Sequence, residues 1–166
     1  MESDRAQGAP FRLLFVCTGN TCRSPMAEAI ARRELERLGW EHVEVASAGV
    51  GAWGGEPASG GAERTARRHG LDLSGHRASP LTREAVDQAD LILAMSPSHL
   101  LRLVDLGAGD KSDLLTTFAA GDEAGDGPES VTDPFGGPDE VYEDTFVLLE
   151  RLVERTLQRL VPIVSP

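Results

Sequence analysis

Apolar residues lie along the chain in short β-prone runs that alternate with longer stretches of helical spacing. Nearly continuous aliphatic runs are typical of strands buried on both faces of a parallel sheet. The predicted strands cover 11–16, 43–47, 90–95 and 114–118. The predicted helices cover 25–38, 62–69, 83–88, 98–106 and 138–161. This alternation predicts a single α/β domain in which a parallel sheet carries helices on both faces.

Polar and glycine residues mark where the predicted helices begin and end. Ser24 and Pro25 predict an N-cap and a first helical residue, because proline lacks the N–H that would stay unsatisfied there. Gly39 fits the C-terminal cap of the same helix. Ser96 and Pro97 repeat the Ser-Pro start for a later helix.

Composition narrows the class of protein. The 166 residues predict one domain over 11–166, preceded by a flexible polar tail over 1–10, and the glycine-rich acidic segment 122–129 is predicted to be a solvated loop. A net charge of −11 argues against a nucleic-acid partner. We also expect no membrane association, because no stretch has the length of a membrane span and residues 1–10 lack the apolar core of a signal peptide. Two cysteines five residues apart form no secretory disulfide framework, so we expect a cytoplasmic protein.

The strongest chemical signal lies between the first predicted strand and the first predicted helix. Cys17 ends the strand, Gly19 and Asn20 lie in a short loop, and Arg23 follows at the start of the helix. Loop N–H groups and a helix N-terminus bind tetrahedral oxyanions, and an arginine adds bidentate donors for phosphate oxygens. The same positive surroundings favour the nucleophilic thiolate form of Cys17. The stretch therefore predicts covalent phosphoryl transfer.

The sequence also resembles a known family. The stretch VCTGNTCRSPMAE at 16–28 is similar to the phosphate-binding loop of the low-molecular-weight protein tyrosine phosphatases, and the resemblance extends through SAG at 47–49, GHRA at 75–78, ADLILAM at 89–95 and DPFGG at 133–137. Thr21 and the DPFGG string most resemble the bacterial protein arginine phosphatases. The resemblance implies a four-stranded parallel sheet in flavodoxin-like order and a phosphocysteine intermediate. It further implies phosphorylated protein substrates and inorganic phosphate as product. We also expect a monomer without a cofactor, and no metal, because the four histidines are scattered and the two-cysteine loop lacks partner ligands.

Cysteine-dependent phosphoryl transfer also needs a group that protonates the leaving group and then activates water. Spacing alone does not choose among 27 acidic residues, and Asp133 is equally well explained as a turn aspartate. The resemblance assigns it as general acid and then general base. It also implies that Asn20, Ser24, Ser47 and His76 form a hydrogen-bonded network behind the loop. Predicted contacts to substrate or phosphate come from Thr18, Gly19, Asn20, Thr21, Cys22 and Phe135, with Trp53 as a further candidate at the mouth of the site.

Two residues inside the loop allow finer hypotheses. Cys22 is either a small buried filler or a partner that protects Cys17 through a reversible disulfide, as the resemblance favours. Thr21 stands where tyrosine-specific relatives usually carry a larger aliphatic residue, and the resemblance therefore favours phosphoarginine over phosphotyrosine as substrate. An arsenate reductase is disfavoured because no cysteine follows Cys22. A non-catalytic anion-binding regulator is also disfavoured, because neither the nucleophile nor the acid is missing.

Overall fold

The computed structural model describes residues 9–123 and 129–164, so most of the predicted 1–10 tail and part of the acidic segment, including Asp126, lie outside the described residues. The strands are β1 (Phe11–Cys17), β2 (Val43–Gly49), β3 (Leu91–Ala94) and β4 (Ser112–Leu114). The α-helices in the described ranges are α1 (Arg23–Leu38), α2 (Gly60–Arg68), α3 (Arg83–Gln88), α4 (Pro97–Asp105), α5 (Leu115–Ala120) and α6 (Asp139–Val164).

The strands form one parallel sheet in the order β2-β1-β3-β4. This is the flavodoxin-like order, so the predicted fold is confirmed. Side chains of β1 alternate between two hydrophobic clusters: Leu13 and Phe15 pack under α1 and α6, whereas Leu14 and Val16 pack towards α3 and α4. Because β1 lies in the middle of the sheet and is covered on both faces, its carboxyl end is a fixed platform for the residues that follow.

The predicted fourth strand at 114–118 is wrong apart from its first residue. Of the residues 114–118, only Leu114 belongs to β4, and α5 begins at Leu115. Leu115 and Ala119 lie one helical turn apart and are both buried in the cluster under α6, which is the packing that favours helix over strand for this segment. A short apolar run does not by itself distinguish the two.

Two helix predictions also need correction. Helix α1 begins at Arg23 with Cys22 as its N-cap residue, so Ser24 lies inside the first turn and does not cap it. Helix α6 continues through Pro162 to Val164, beyond the predicted end at 161. Its buried face includes Tyr142 and Phe146, which the periodicity did not select. Gly39, by contrast, adopts the predicted left-handed C-cap conformation with φ of 70°. None of the described helices is long and apolar enough to cross a membrane.

Candidate active site

The segment that joins β1 to α1, called the 17–23 loop here, turns its carbonyl groups away from the pocket it encloses. Each of four carbonyls accepts a hydrogen bond from the surrounding structure: Cys17 O from Val50 N (3.0 Å), Thr18 O from Gly51 N (2.8 Å), Asn20 O from His76 Nε2 (2.7 Å) and Thr21 O from Ser59 N (2.9 Å). Within the described residues, the N–H groups of 18–22 donate to no protein acceptor. Convergent free N–H groups ahead of a helix N-terminus form an anion-binding concavity.

Two backbone positions make this curvature possible. Asn20 has φ of 57°, and it is the one non-glycine residue with positive φ among the described residues. Asparagine tolerates this left-handed conformation better than most residues. On the opposite side, Gly49 lies so close that an added Cβ would be 2.5 Å from Thr18 O and 2.8 Å from Asn20 N. The absence of a side chain at Gly49 therefore lets β2 support the loop directly.

A chain of hydrogen bonds runs from Cys17 to the back of the loop. Cys17 Sγ lies 2.8 Å from Ser24 Oγ, and Asn20 Nδ2 donates to both Ser24 Oγ (2.8 Å) and Ser47 Oγ (2.9 Å). Ser47 in turn donates to the Glu28 carboxylate. Because Ser24 accepts from Asn20, its own proton is free to point at Cys17 Sγ. The network explains why Ser24 does not cap α1.

Arg23 lies in the first turn of α1 and is 5% exposed. Its Nη1 donates to Val131 O at 3.0 Å, and its Nη2 donates to Thr18 Oγ1 at 3.4 Å and lies 3.6 Å from Asp133 Oδ2. Its Nε is buried and has no hydrogen-bond partner among the described residues. A buried cation with an unused donor is costly unless a ligand satisfies it, which fits an oxyanion held between Arg23 and the loop N–H groups.

His99 is a site residue that the sequence did not reveal. It lies on α4, is 2% exposed, and places Nε2 at 2.8 Å from Thr18 Oγ1 and Nδ1 at 3.1 Å from Ser96 Oγ. Burial, followed by the positive charge of Arg23, lowers the pKa of His99 to about 4. A neutral imidazole therefore supports Thr18 next to Arg23. No local motif points to this contact, because 81 residues separate the two partners.

Asp133 and Phe135 reach the site from the loop before α6. Together with the segment 56–59, they line a pocket of about 490 Å³. The lining from the 17–23 loop comprises Cys17, Thr18, Gly19, Thr21, Cys22 and Arg23. Asp133 Oδ1 accepts from Phe135 N at 3.1 Å, which fixes the carboxylate at the wall. Trp53 is not among the lining residues, and its side chain is 91% exposed.

Cys22 lies in a small polar cluster that the sequence also did not reveal. Its Sγ is 3.1 Å from Ser59 Oγ and 3.5 Å from Tyr142 OH, and these two hydroxyl groups lie 3.1 Å apart. Gly61 allows this arrangement, since a Cβ there would lie 2.3 Å from the Tyr142 ring. Burial raises the pKa of Tyr142. Both cysteines are free thiols, and a Cys17–Cys22 disulfide stays a prediction.

The structure thus brings the sequence-predicted residues together in two layers. Cys17, Arg23 and Asp133 face one pocket, with a nucleophile and oxyanion donors from one loop and a carboxyl group from the wall. Asn20, Ser24, Ser47 and His76 lie in the hydrogen-bond network behind that loop. The arrangement has the parts that acid-assisted displacement at phosphorus requires. Within residues 9–123 and 129–164, no group of three or more His, Cys, Asp or Glu residues is placed to hold a metal ion.

Comparison with known proteins agrees with this geometry. Residues 12–162 match the family described as low molecular weight phosphotyrosine protein phosphatase. The chain is 43% identical to a protein-arginine-phosphatase of Geobacillus stearothermophilus, covering 91% of this chain and 97% of the relative. It is 40% identical to a protein-arginine-phosphatase of Bacillus subtilis, covering 89% of this chain and 95% of the relative.

A solved structure gives the same result. The crystal structure of a low molecular weight protein tyrosine phosphatase from T. tengcongensis superimposes with a TM-score of 0.83 at 41% sequence identity, covering 90% of this chain and 99% of that one. The family match over residues 12–162 takes in the 17–23 loop and most of the sheet and helices. The chain therefore belongs to the low molecular weight phosphotyrosine protein phosphatase family of cysteine-dependent protein phosphatases.

Proposed function

We propose that this chain removes phosphate from phosphoarginine residues of proteins through a phosphocysteine intermediate. The observation that carries the proposal is that Thr21 and Asp133 line the same pocket as Cys17 and Arg23. Thr21 adds a small polar side chain to the lining of the pocket, and the Asp133 carboxyl group can pair with a guanidinium group. The two relatives named as protein-arginine-phosphatases support the same substrate class.

In the first step, the Cys17 thiolate attacks phosphorus, and the P–N bond to the guanidinium group breaks as the S–P bond forms. Asp133 donates a proton to the departing nitrogen, so that arginine leaves directly as its guanidinium cation. The loop N–H groups and Arg23 hold the phosphoryl oxygens, whose charge they stabilise in the transition state. This role accounts for the buried, unpartnered Nε of Arg23.

In the second step, Asp133 accepts a proton from water as the water attacks the phosphocysteine. The S–P bond breaks, inorganic phosphate is released and the Cys17 thiolate returns. The hydroxyl of Ser24, 2.8 Å from Cys17 Sγ, stabilises the departing thiolate. Asn20, Ser47 and His76 keep the loop in its curved form during both steps through the hydrogen bonds to its side chains and carbonyls.

Phosphotyrosine is the second candidate substrate, and one observation favours it. The Phe135 side chain lines the pocket and is 70% exposed, which would let it stack on a phenyl ring. The chemistry of Cys17, Arg23 and Asp133 serves both substrates, so the difference must come from the pocket wall. An arsenate reductase cycle lacks support because the sequence holds no cysteine after Cys22.

The decisive experiment compares kcat/KM on phosphoarginine and phosphotyrosine peptides of matched sequence. Wild type should prefer phosphoarginine, and Thr21→Ile should lower the rate on phosphoarginine while raising it on phosphotyrosine. One or two methylene-sized contacts change the preference by roughly 10- to 200-fold. Thr21→Ser, which keeps the hydroxyl and removes a methyl group, is the matched control and should retain the order of preference. A ratio that Thr21→Ile leaves unchanged would place specificity elsewhere, with Phe135 as the next residue to test.

The proposal includes a monomeric enzyme of the cytoplasm that acts on phosphorylated proteins without binding nucleic acid or membranes. Two buried free thiols, one of them the proposed nucleophile, suit a reducing compartment. The net charge of −11 disfavours a polyanionic partner.

A further inference from the structure

The pocket has a second carboxylate whose role is not explained by phosphoryl chemistry. Glu56 is among the residues that line the pocket, together with Asp133 and Phe135. Its Oε1 accepts from Gly54 N at 2.7 Å and its Oε2 from Trp53 N at 3.2 Å, so the carboxylate is fixed within the turn of residues 53–56. The backbone N–H of Glu56 itself, followed by those of Gly54 and Trp53, lowers the pKa of the Glu56 carboxyl group, which keeps the side chain ionised.

The turn that holds Glu56 is itself tied to the body of the protein. Gly55 N donates to Ala78 O at 2.8 Å, and Ala78 N donates to Glu56 O at 2.7 Å. Glu56 therefore has a defined place in the lining of the pocket. No arginine, lysine or histidine in the described part of the chain forms an ion pair with Glu56, whereas most carboxylates of α1 and α2 have such partners.

We propose that Glu56 is a specificity-determining residue that selects a cationic group attached to the phosphoryl group. This inference rests on the proposed function, and it adds a determinant to Thr21. Arg23 and the loop N–H groups supply the positive side of the pocket, and Glu56 adds a negative charge to its lining. Phosphoarginine matches both charges, since its anionic phosphoryl group is bonded to a cationic guanidinium group. Phosphotyrosine carries no positive charge, so it gains nothing from Glu56.

The test measures kcat/KM of wild type and Glu56→Gln on matched phosphoarginine and phosphotyrosine peptides. Glutamine keeps an acceptor for Gly54 N, so the turn is preserved while the charge is lost. Glu41→Gln is the matched control. It removes the same charge, but Glu41 lies just before β2, at the end of the sheet opposite the pocket. We expect Glu56→Gln to lower kcat/KM on phosphoarginine about two- to fivefold, mainly through KM, as for partly exposed charge pairs. The phosphotyrosine rate should stay equal or rise, and Glu41→Gln should change neither.

The dependence of substrate preference on salt concentration is a second measurement, and a purely structural role of Glu56 would not affect it. Raising ionic strength from about 0.1 M to about 1 M shortens the screening length from about 10 Å to about 3 Å. The phosphoarginine preference of wild type should then fall towards that of Glu56→Gln, whose own preference should change less. If wild type is active on phosphoarginine but Glu56→Gln loses kcat/KM equally on both substrates, or leaves the ratio of the two kcat/KM values unchanged, this inference alone is overturned. A wild type inactive on phosphoarginine would overturn the proposed function, and this inference with it.

Discussion

Replacement of His99 by Gln is expected to make the folding stability of the chain less sensitive to acid. His99 is 2% exposed beneath the 17–23 loop, between Thr18 and Ser96. Burial and the nearby charge of Arg23 lower its pKa to about 4, although Asp133 acts in the opposite direction. Glutamine keeps an amide within reach of Thr18 and removes the titrating group.

The sign and size follow from proton linkage. A histidine in the unfolded chain has a pKa of about 6.5, so between about pH 6.5 and 4 the unfolded state binds a proton that the native state does not. The free energy of unfolding therefore falls as pH falls through this window. At about pH 4.5 the loss attributable to His99 is about 2.5 kcal/mol, and above about pH 7.5 it vanishes.

The assay is urea unfolding of wild type and His99→Gln at several pH values from about 7.5 to 4.5. Subtraction of the two free energies of unfolding at each pH cancels the titration of groups that the substitution does not affect. The difference should shift by about 2.5 kcal/mol in favour of the variant across this range. A difference that stays constant within about 0.5 kcal/mol would refute the reasoning, because His99 would then titrate alike in both states.

Four further outcomes test the site. Cys17→Ser should abolish turnover but retain phosphate or vanadate binding by calorimetry, because the loop donors survive; residual turnover near wild type would exclude Cys17 as nucleophile. Asp133→Asn should lower kcat about a hundred- to ten-thousand-fold, with a milder loss on aryl phosphates that have acidic leaving groups. After peroxide treatment, thiol reductant should restore wild type but not Cys22→Ser, in which Cys17 advances to sulfinic acid; equal recovery would leave Cys22 a packing residue. Gly49→Ala should lower stability by about 1–3 kcal/mol and weaken phosphate binding, since its Cβ would press on Thr18 O; unfolding and phosphate titrations indistinguishable from wild type would contradict this.

The parts of the fold that follow from sequence are those set by local chemistry. The aliphatic run of β1, the loop after it and the Gly39 cap need little beyond strand periodicity and backbone preference. The predicted fourth strand is wrong because the structure of that segment depends on packing against distant residues. Leu115 and Ala119 are buried together in the cluster under α6, and this long-range packing, which favours a helix, is not visible in the five residues 114–118 alone.

The same distinction separates the predicted site residues from those that were missed. Cys17 and Arg23 share one short loop, so their spacing carries the signal. His99, Tyr142 and Glu56 come from distant segments, and each looks ordinary in its own stretch. His99 contacts Thr18 across 81 residues, and Tyr142 contacts Cys22 across 120. The helices and loops that carry these residues pack around the parallel sheet, and this packing places them near the 17–23 loop.

The pocket also resolves an apparent conflict between an acidic chain and an anionic ligand. The net charge is −11, yet exposed charges are screened over about 10 Å at moderate salt. Arg23 is 5% exposed, and its donors act at contact distance, where a low dielectric makes them effective. Asp133 and Glu56 line the same pocket as Arg23. Under the proposed function, Arg23 and the loop N–H groups hold the phosphoryl group, while Glu56 acts on the cationic group attached to it.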